Sequence, residues 1–255
     1  MKRIISDIKP SLVPLCVATV LLAVSSCKIE NVNFGNGEKI APSGNIVKND
    51  YPQQPFDEVE VDVVANVKFI QTSDSSCHVT LSAPDNYVDL FAIDVHDSQL
   101  NVKFSKKNVN IDPTNVDVTI YSPALHELEN KGVANVEIDR LVSDKLKLEN
   151  SGVGKLFVSG LTVDVLDVEC SGVGSVLLSG KAGRAELECS GVGGIEADDL
   201  KARHVEAEVS GVGGIRCYAS ESIKGEVSGI GALTYGGKPQ QSQLKRTGVG
   251  KIEAQ

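Results

Sequence analysis

The sequence predicts an all-β fold: a single-stranded parallel β-helix, a right-handed solenoid, preceded by a less regular N-terminal β region. Three observations predict it. A glycine motif recurs at near-constant spacing, the apolar residues around each copy fall into matching columns, and no stretch after residue 27 carries a convincing helical period. The motif is Ser151-Gly152-Val153-Gly154. It returns as Ser171-Gly172-Val173-Gly174, Ser190-Gly191-Val192-Gly193 and Ser210-Gly211-Val212-Gly213. Looser copies are Ser228-Gly229-Ile230-Gly231, Thr247-Gly248-Val249-Gly250 and, ahead of them, Lys131-Gly132-Val133-Ala134. Steps between the first glycines are 20, 20, 19, 20, 18 and 19 residues. A unit that short has too little apolar surface to bury alone, so its core forms only by stacking.

Taken in order, residues 1–27 read as a processing segment. Lys2 and Arg3 give a basic start, Leu12 to Val24 an apolar run too short for a comfortable membrane span, and Leu22-Ala23-Val24-Ser25-Ser26-Cys27 resembles a bacterial lipobox. That resemblance implies that Cys27 is acylated and becomes the new N-terminus, with enough acyl chains for a stable anchor. An ordinary secretory signal with an incidental cysteine is the alternative. Lys28, rather than an aspartate, follows Cys27, which points to the outer membrane, on its periplasmic or cell-surface face. Residues 28–55 are rich in Asn, Gly and Pro without apolar period and read as a flexible tether.

From Phe56 the pattern alternates, with Val59, Val61 and Val63 between Glu58, Glu60 and Asp62, as in a half-buried strand. Residues 56–125 hold several such runs and read as irregular coils or a cap. Asp97-Ser98-Gln99 looks like a hairpin turn. Val64-Ala65-Asn66-Val67 recurs as Val133-Ala134-Asn135-Val136, so the coil unit already has a relative in this half.

Residues 126–255 are the regular coils. After the motif, Leu156, Val176, Ile195, Ile215, Leu233 and Ile252 form one inward column, and Val158, Leu178, Ala197, Cys217, Tyr235 and Ala254 a second. Before it, Leu148, Val168, Leu187 and Ala207 point in. Seven coils at the ~4.8 Å strand spacing make a rod roughly 30 Å long. The motif glycines suit a corner with positive φ, or one where adjacent coils leave no room for Cβ. Gly160, Gly180 and Gly237 suggest a second corner.

The Ser-Gly-Val-Gly repeat behind the opening Phe56-Asp57-Glu58-Val59-Glu60-Val61 resembles the head GIN domain family, over roughly Phe56 to Ile252. The resemblance implies a β-helical envelope or secreted protein with an adhesin role. The family has no diagnostic site residues to carry over.

Two residues before each motif stands a glutamate: Glu129, Glu149, Glu169, Glu188, Glu208 and Glu226, then Lys245. Stacked in register, each neighbouring pair repels by about 0.9 kcal/mol even at the dielectric of water. Three readings follow: a solvated acidic face that blocks side-to-side aggregation, a weak Ca²⁺ site built of oxygen ligands, or a ligand surface. Apart from that weak Ca²⁺, no cofactor and no metal site is expected. Cys170 and Cys189 fall one coil apart in one inward column, between Asn150 and Val209. They suit either a disulfide or a stack of small apolar residues.

The formal charge of −9 becomes −11 without residues 1–26, and such a surface repels phosphate backbones, so nucleic acid is excluded as a partner. Histidines 78, 96, 126 and 204 are scattered with no nucleophile beside them in sequence, and catalysis is not expected. The functional expectation is an adhesin or surface-binding protein for glycan or protein, held to the membrane by its lipid. An envelope scaffold, or less readily a polysaccharide-degrading β-helix enzyme, is the alternative. Open solenoid ends allow homo-oligomers.

Overall fold

Rungs stacked in register, interrupted by bulges at Val158–Leu161, Leu177–Ser179 and Ala197–His204, dominate the described residues, and the glycine motif marks where each one turns. The computed structural model describes residues 37–255. Its N-terminal region holds β1 (Lys39–Ile40), β2 (Ile46–Pro52), β3 (Glu58–Asp62), β4 (Val64–Gln71), β5 (His78–Pro84), β6 (Phe91–His96), β7 (Gln99–Phe104), β8 (Asn110–Ile111) and β9 (Asp117–Ser122), with a 3-10 helix at Asp85–Leu90. The repeat holds β10 (Glu127–Asn130), β11 (Val133–Asp139), β12 (Val142–Asn150), β13 (Val153–Cys170), β14 (Val173–Cys189), β15 (Val192–Val209), β16 (Val212–Val227), β17 (Ile230–Gly236), β18 (Gln241–Arg246) and β19 (Lys251–Ala254).

All pairings within the repeat are parallel, and the expected columns form. Leu156, Val176, Ile195, Ile215, Leu233 and Ile252 are successive partners, and all but Ile252 are buried. The fold is a β-solenoid of about six turns. Within β13 the buried residues are Leu156, Val158, Leu161, Val163, Leu166, Val168 and Cys170. Their step of two widens to three at 158/161 and at 163/166, so the strand bends there. Gly160, at the first bend, has φ +62°, and Gly180 and Gly237 have φ +131° and +98°, as the proposed second corner requires.

The N-terminal region lays its rungs out of chain order. β3 and β4 stack in register on β10 and β11, so that Val64-Ala65-Asn66-Val67 lies directly against Val133-Ala134-Asn135-Val136. β7 and β9 then stack in parallel on the far side of β3 and β4. Along the axis the order is therefore 99–122, then 58–71, then 127–139. β5 and β6 run antiparallel at this end, and β6 joins β7 through a tight turn with φ +51° at Asp97 and +66° at Ser98, as expected of the hairpin.

The tether expected over 28–55 differs in its described part. β2 pairs with β5 over seven residues, and the Thr80 hydroxyl donates to the Asp50 carboxylate at 2.5 Å. The alternation Val47, Asn49, Tyr51 half-buries one side of this edge strand, a signal diluted by the surrounding Asn and Pro. At the opposite end, all six residues of β18 are exposed, which makes the last coil the least covered.

Candidate binding face

Each glycine corner is tied to the one before it. The Ser151 and Gly152 N–H groups both donate to the Asn130 carbonyl (3.1 and 2.8 Å), and the same clasp repeats up to Thr247 and Gly248 on the Val227 carbonyl. Inside the corner, the side chain preceding the motif donates to the carbonyl four residues on. Asn150 Nδ2 reaches Gly154 O at 3.3 Å, Cys170 and Cys189 Sγ reach Gly174 O and Gly193 O at 3.8 and 3.7 Å, and Arg246 reaches Gly250 O at 3.3 Å. This explains why polar residues occupy a core column. Asn130 and Asn150 also bond to one another across the coils at 2.8 Å.

With its backbone fixed on both sides, the valine between the glycines turns outward. Val64, Val133, Val153, Val173, Val192, Val212 and Ile230 are successive partners along one edge of the solenoid. Exposure grows along it from the buried Val64 to 40% at Val153 and 63% at Ile230. Exposed serines 151, 171, 190, 210 and 228 stand beside them. The repeat was evident in sequence, but the direction of its valine was not, because apolar periodicity reads such a residue as core. An aliphatic stripe of this length is the kind of surface proteins use for contact.

The glutamates form the wall on the other side of the corner, in the register expected. Glu60 extends it beyond Glu129, so seven carboxylates stack before Lys245. Sequence spacing missed Glu60 because the intervening chain loops away. Relief comes at the ends. Lys131 bridges Glu60 and Glu129 (2.8 and 2.9 Å), Lys147 bridges Glu127 and Glu149 (3.0 and 3.3 Å), and Lys245 meets Glu226 at 2.6 Å. The hydrogen bonds that Lys131 donates to Glu60 and Glu129 raise its pKa above the ordinary value. Glu206, in the adjoining column, takes Arg184 at 3.2 Å and also Lys224. Glu169, Glu188 and Glu208 have no ion pair among the described residues. Burial, then the charges of Glu149 and Glu188, push the Glu169 carboxyl above its usual range. Among the described residues no three carboxylate, histidine or cysteine side chains converge to hold a metal ion.

Cys170 and Cys189 are partners in register, buried, and present as free thiols. A hydrogen bond with Cys189 and then burial push the Cys170 thiol upward. Burial pushes Cys217 up to about 12, so neither position suits a reactive thiolate. Contrary to the sequence reading, one histidine does have a hydroxyl beside it: His204 Nδ1 lies 2.9 Å from Ser222 Oγ, one rung away, with Glu221 at 3.5 Å from Nε2. Sequence could not show this because the two sit 18 residues apart on adjacent coils. Cys27 lies outside the described residues.

At the head of the valine stripe the face becomes a groove of about 790 Å³. Val64, Val133, Val153 and Val173 line it, with the loop Ser105–Val109 along one side. The family of head GIN domains, described as putative auto-transporter adhesin, matches residues 55–239. This chain belongs to that family. The head GIN fold recurs in a putative adhesin from Bacteroides fragilis, 36% identical, whose crystal structure aligns with a TM-score of 0.82 over 85% of this chain and all of that one. A putative adhesin (22% identity, TM-score 0.66) and a putative lipid binding protein (21%, 0.64), both from Parabacteroides distasonis, share the fold. They cover 86% and 84% of this chain, over 100% and 99% of their own. Among curated proteins none matches. Membership places this head GIN chain among proteins of the cell surface or envelope.

Proposed function

We propose that this head GIN protein is a lipid-anchored binding protein of the outer membrane that presents its valine stripe to a macromolecular ligand. The observation that carries the reading is the line of exposed valines from Val153 to Ile230, held in register by glycine corners. A rigid scaffold presents these side chains without an ordering cost on binding, which favours affinity. The stripe is aliphatic and the chain has no Trp, so a protein surface fits it better than a sugar polymer, which would gain more from aromatic platforms. The acidic wall keeps other copies of the protein away from this edge and limits which partners can approach.

The test is a combined pull-down and glycan array with the intact protein and its Val192→Asp/Val212→Asp variant. A captured partner should be lost in the variant while the melting temperature holds. A partner retained at full strength by that variant ends the reading. Anchoring through Cys27 is tested separately: Cys27→Ser should abolish incorporation of labelled palmitate and release the protein from the membrane fraction.

A further inference from the structure

We infer that the groove at the head of the valine stripe binds a fatty carboxylate, its acyl chain laid on Val64, Val133, Val153 and Val173 and its headgroup met by Lys106 and Lys107. The groove exists because the chain between β7 and β9 departs as a loop where every other rung turns a tight corner. Its 790 Å³ lies within the roughly 300–1,000 Å³ of small-molecule sites. The floor is aliphatic side chain and glycine backbone, and Phe104 is the one aromatic ring lining it. That surface suits methylenes and offers little to a sugar ring.

Charge selects the headgroup. The lysines of the acidic wall nearby, Lys131 and Lys147, are each committed to two glutamates. Lys106 and Lys107 are exposed, line the groove and have no ion pair among the described residues, in a chain of net charge −9. Against the one carboxylate in the lining, Asp62, which has no ion pair among the described residues, these two uncommitted cations leave the rim net positive, which complements an anion carried at the end of an alkyl chain. The loop bearing them is anchored: the Ser105 N–H donates to Leu90 O at 2.8 Å, its hydroxyl to Asp89 O at 3.1 Å, and Val109 is buried. The cations are therefore placed over the trough before any ligand arrives. The groove shares Val153 and Val173 with the stripe proposed for macromolecular contact, but Val192 and Val212, which test that contact, lie outside it, so either reading can fail without the other.

The experiment is calorimetric titration of the intact protein with decanoate, dodecanoate and tetradecanoate below their micellar concentrations. Dodecanol and an oligogalacturonate serve as comparators. Affinity should rise several-fold for each two added methylenes, because each buries more apolar surface. Dodecanol should bind at least tenfold more weakly than dodecanoate, and the oligogalacturonate should give no heat. The double variant Lys106→Glu/Lys107→Glu, confined to an exposed loop, should lose at least tenfold, whereas Lys48→Glu on β2 should bind as the unaltered protein does. Val153→Ser should shrink the chain-length dependence. Absence of heat, affinity indifferent to chain length, oligogalacturonate binding as tight as dodecanoate, or full affinity in the loop double variant would each overturn the inference.

Discussion

The turn at Val63 and the seven glycine turns above it occupy the same place in the coil, yet only one of them carries a side chain. Val64 pairs with Val133, so Val63 stands where Gly132 stands one rung on. The next turn clasps onto it in the usual way, with Lys131 and Gly132 N–H donating to Val61 O at 2.9 and 3.1 Å. What differs is the layer behind. A Cβ on Gly132 would sit 2.3 Å from Val63 O, and one on Gly172 would sit 2.0 Å from Gly152 O. Behind Val63 the chain runs off as the loop between β7 and β9, and the side chain packs into that space, buried. The first glycine of the motif is therefore demanded by stacking, not by the turn, and where stacking stops the glycine stops with it.

The most severe way to break this contrast is Gly172→Ala. The blocking atom is a backbone oxygen held by its own ladder, so neither side can yield. We expect a loss above about 4 kcal/mol in urea unfolding, or no folded protein at all. Val63→Gly, which installs the repeat's own residue, should still destabilise, by about 2 kcal/mol, through lost burial and added backbone freedom. Near-equal unfolding midpoints for Gly172→Ala and the unaltered chain would mean that the corners can move apart.

How much of this was legible beforehand follows from the same contrast. Columns of a stacked solenoid project straight onto sequence spacing, so the inward residues, the glutamate wall and the Cys170–Cys189 adjacency could all be read off the repeat. The order of the N-terminal rungs could not. β7 and β9 lie beyond β3 although they follow it in the chain, and no local pattern encodes that reversal. The strand at Ile46–Pro52 escaped because an edge strand half-buries only alternate residues. The groove escaped for a third reason: it is made by a corner that is missing.

A smaller effect separates the corners from one another. Asn150 donates to Gly154 O and accepts from Asn130, whereas three and four coils later Val209 and Val227 fill the same column without a donor. Asn150→Val should cost about 2 kcal/mol, because the buried Asn130 amide loses its 2.8 Å acceptor and keeps only Ala134 O at 3.5 Å, while Gly154 O loses its side-chain donor. The double change Asn130→Val/Asn150→Val should cost less than the single one, since the coils carrying Val209 and Val227 close without either amide. A double variant that costs the sum of the singles would show that each amide serves its own corner alone. The thiols of the same column give a kinetic counterpart: Cys170 and Cys189, both buried, should label with a disulfide reagent only after unfolding.

The smallest effect contrasts the two stretches of the acidic wall. Glu129 shares Lys131 with Glu60, while Glu169 faces only Glu149 and Glu188 along the column. Burial and those neighbours hold the folded pKa of Glu169 above its unfolded value. A carboxyl shifted this way favours the fold while protonated, and that favour is lost as pH rises through the folded pKa. Glu169→Gln should therefore stabilise at pH 7, by roughly 0.5 kcal/mol for relief of in-register repulsion. The gain should shrink to nothing as pH falls below about 4, where glutamate is neutral too. Glu129→Gln should be neutral or slightly destabilising at pH 7, since it removes one arm of a half-exposed bridge. Urea midpoints for the two variants at pH 7 and pH 4 settle the matter, and a shift of the same sign in both would mean that the lysine at the head of the wall relieves its middle as well.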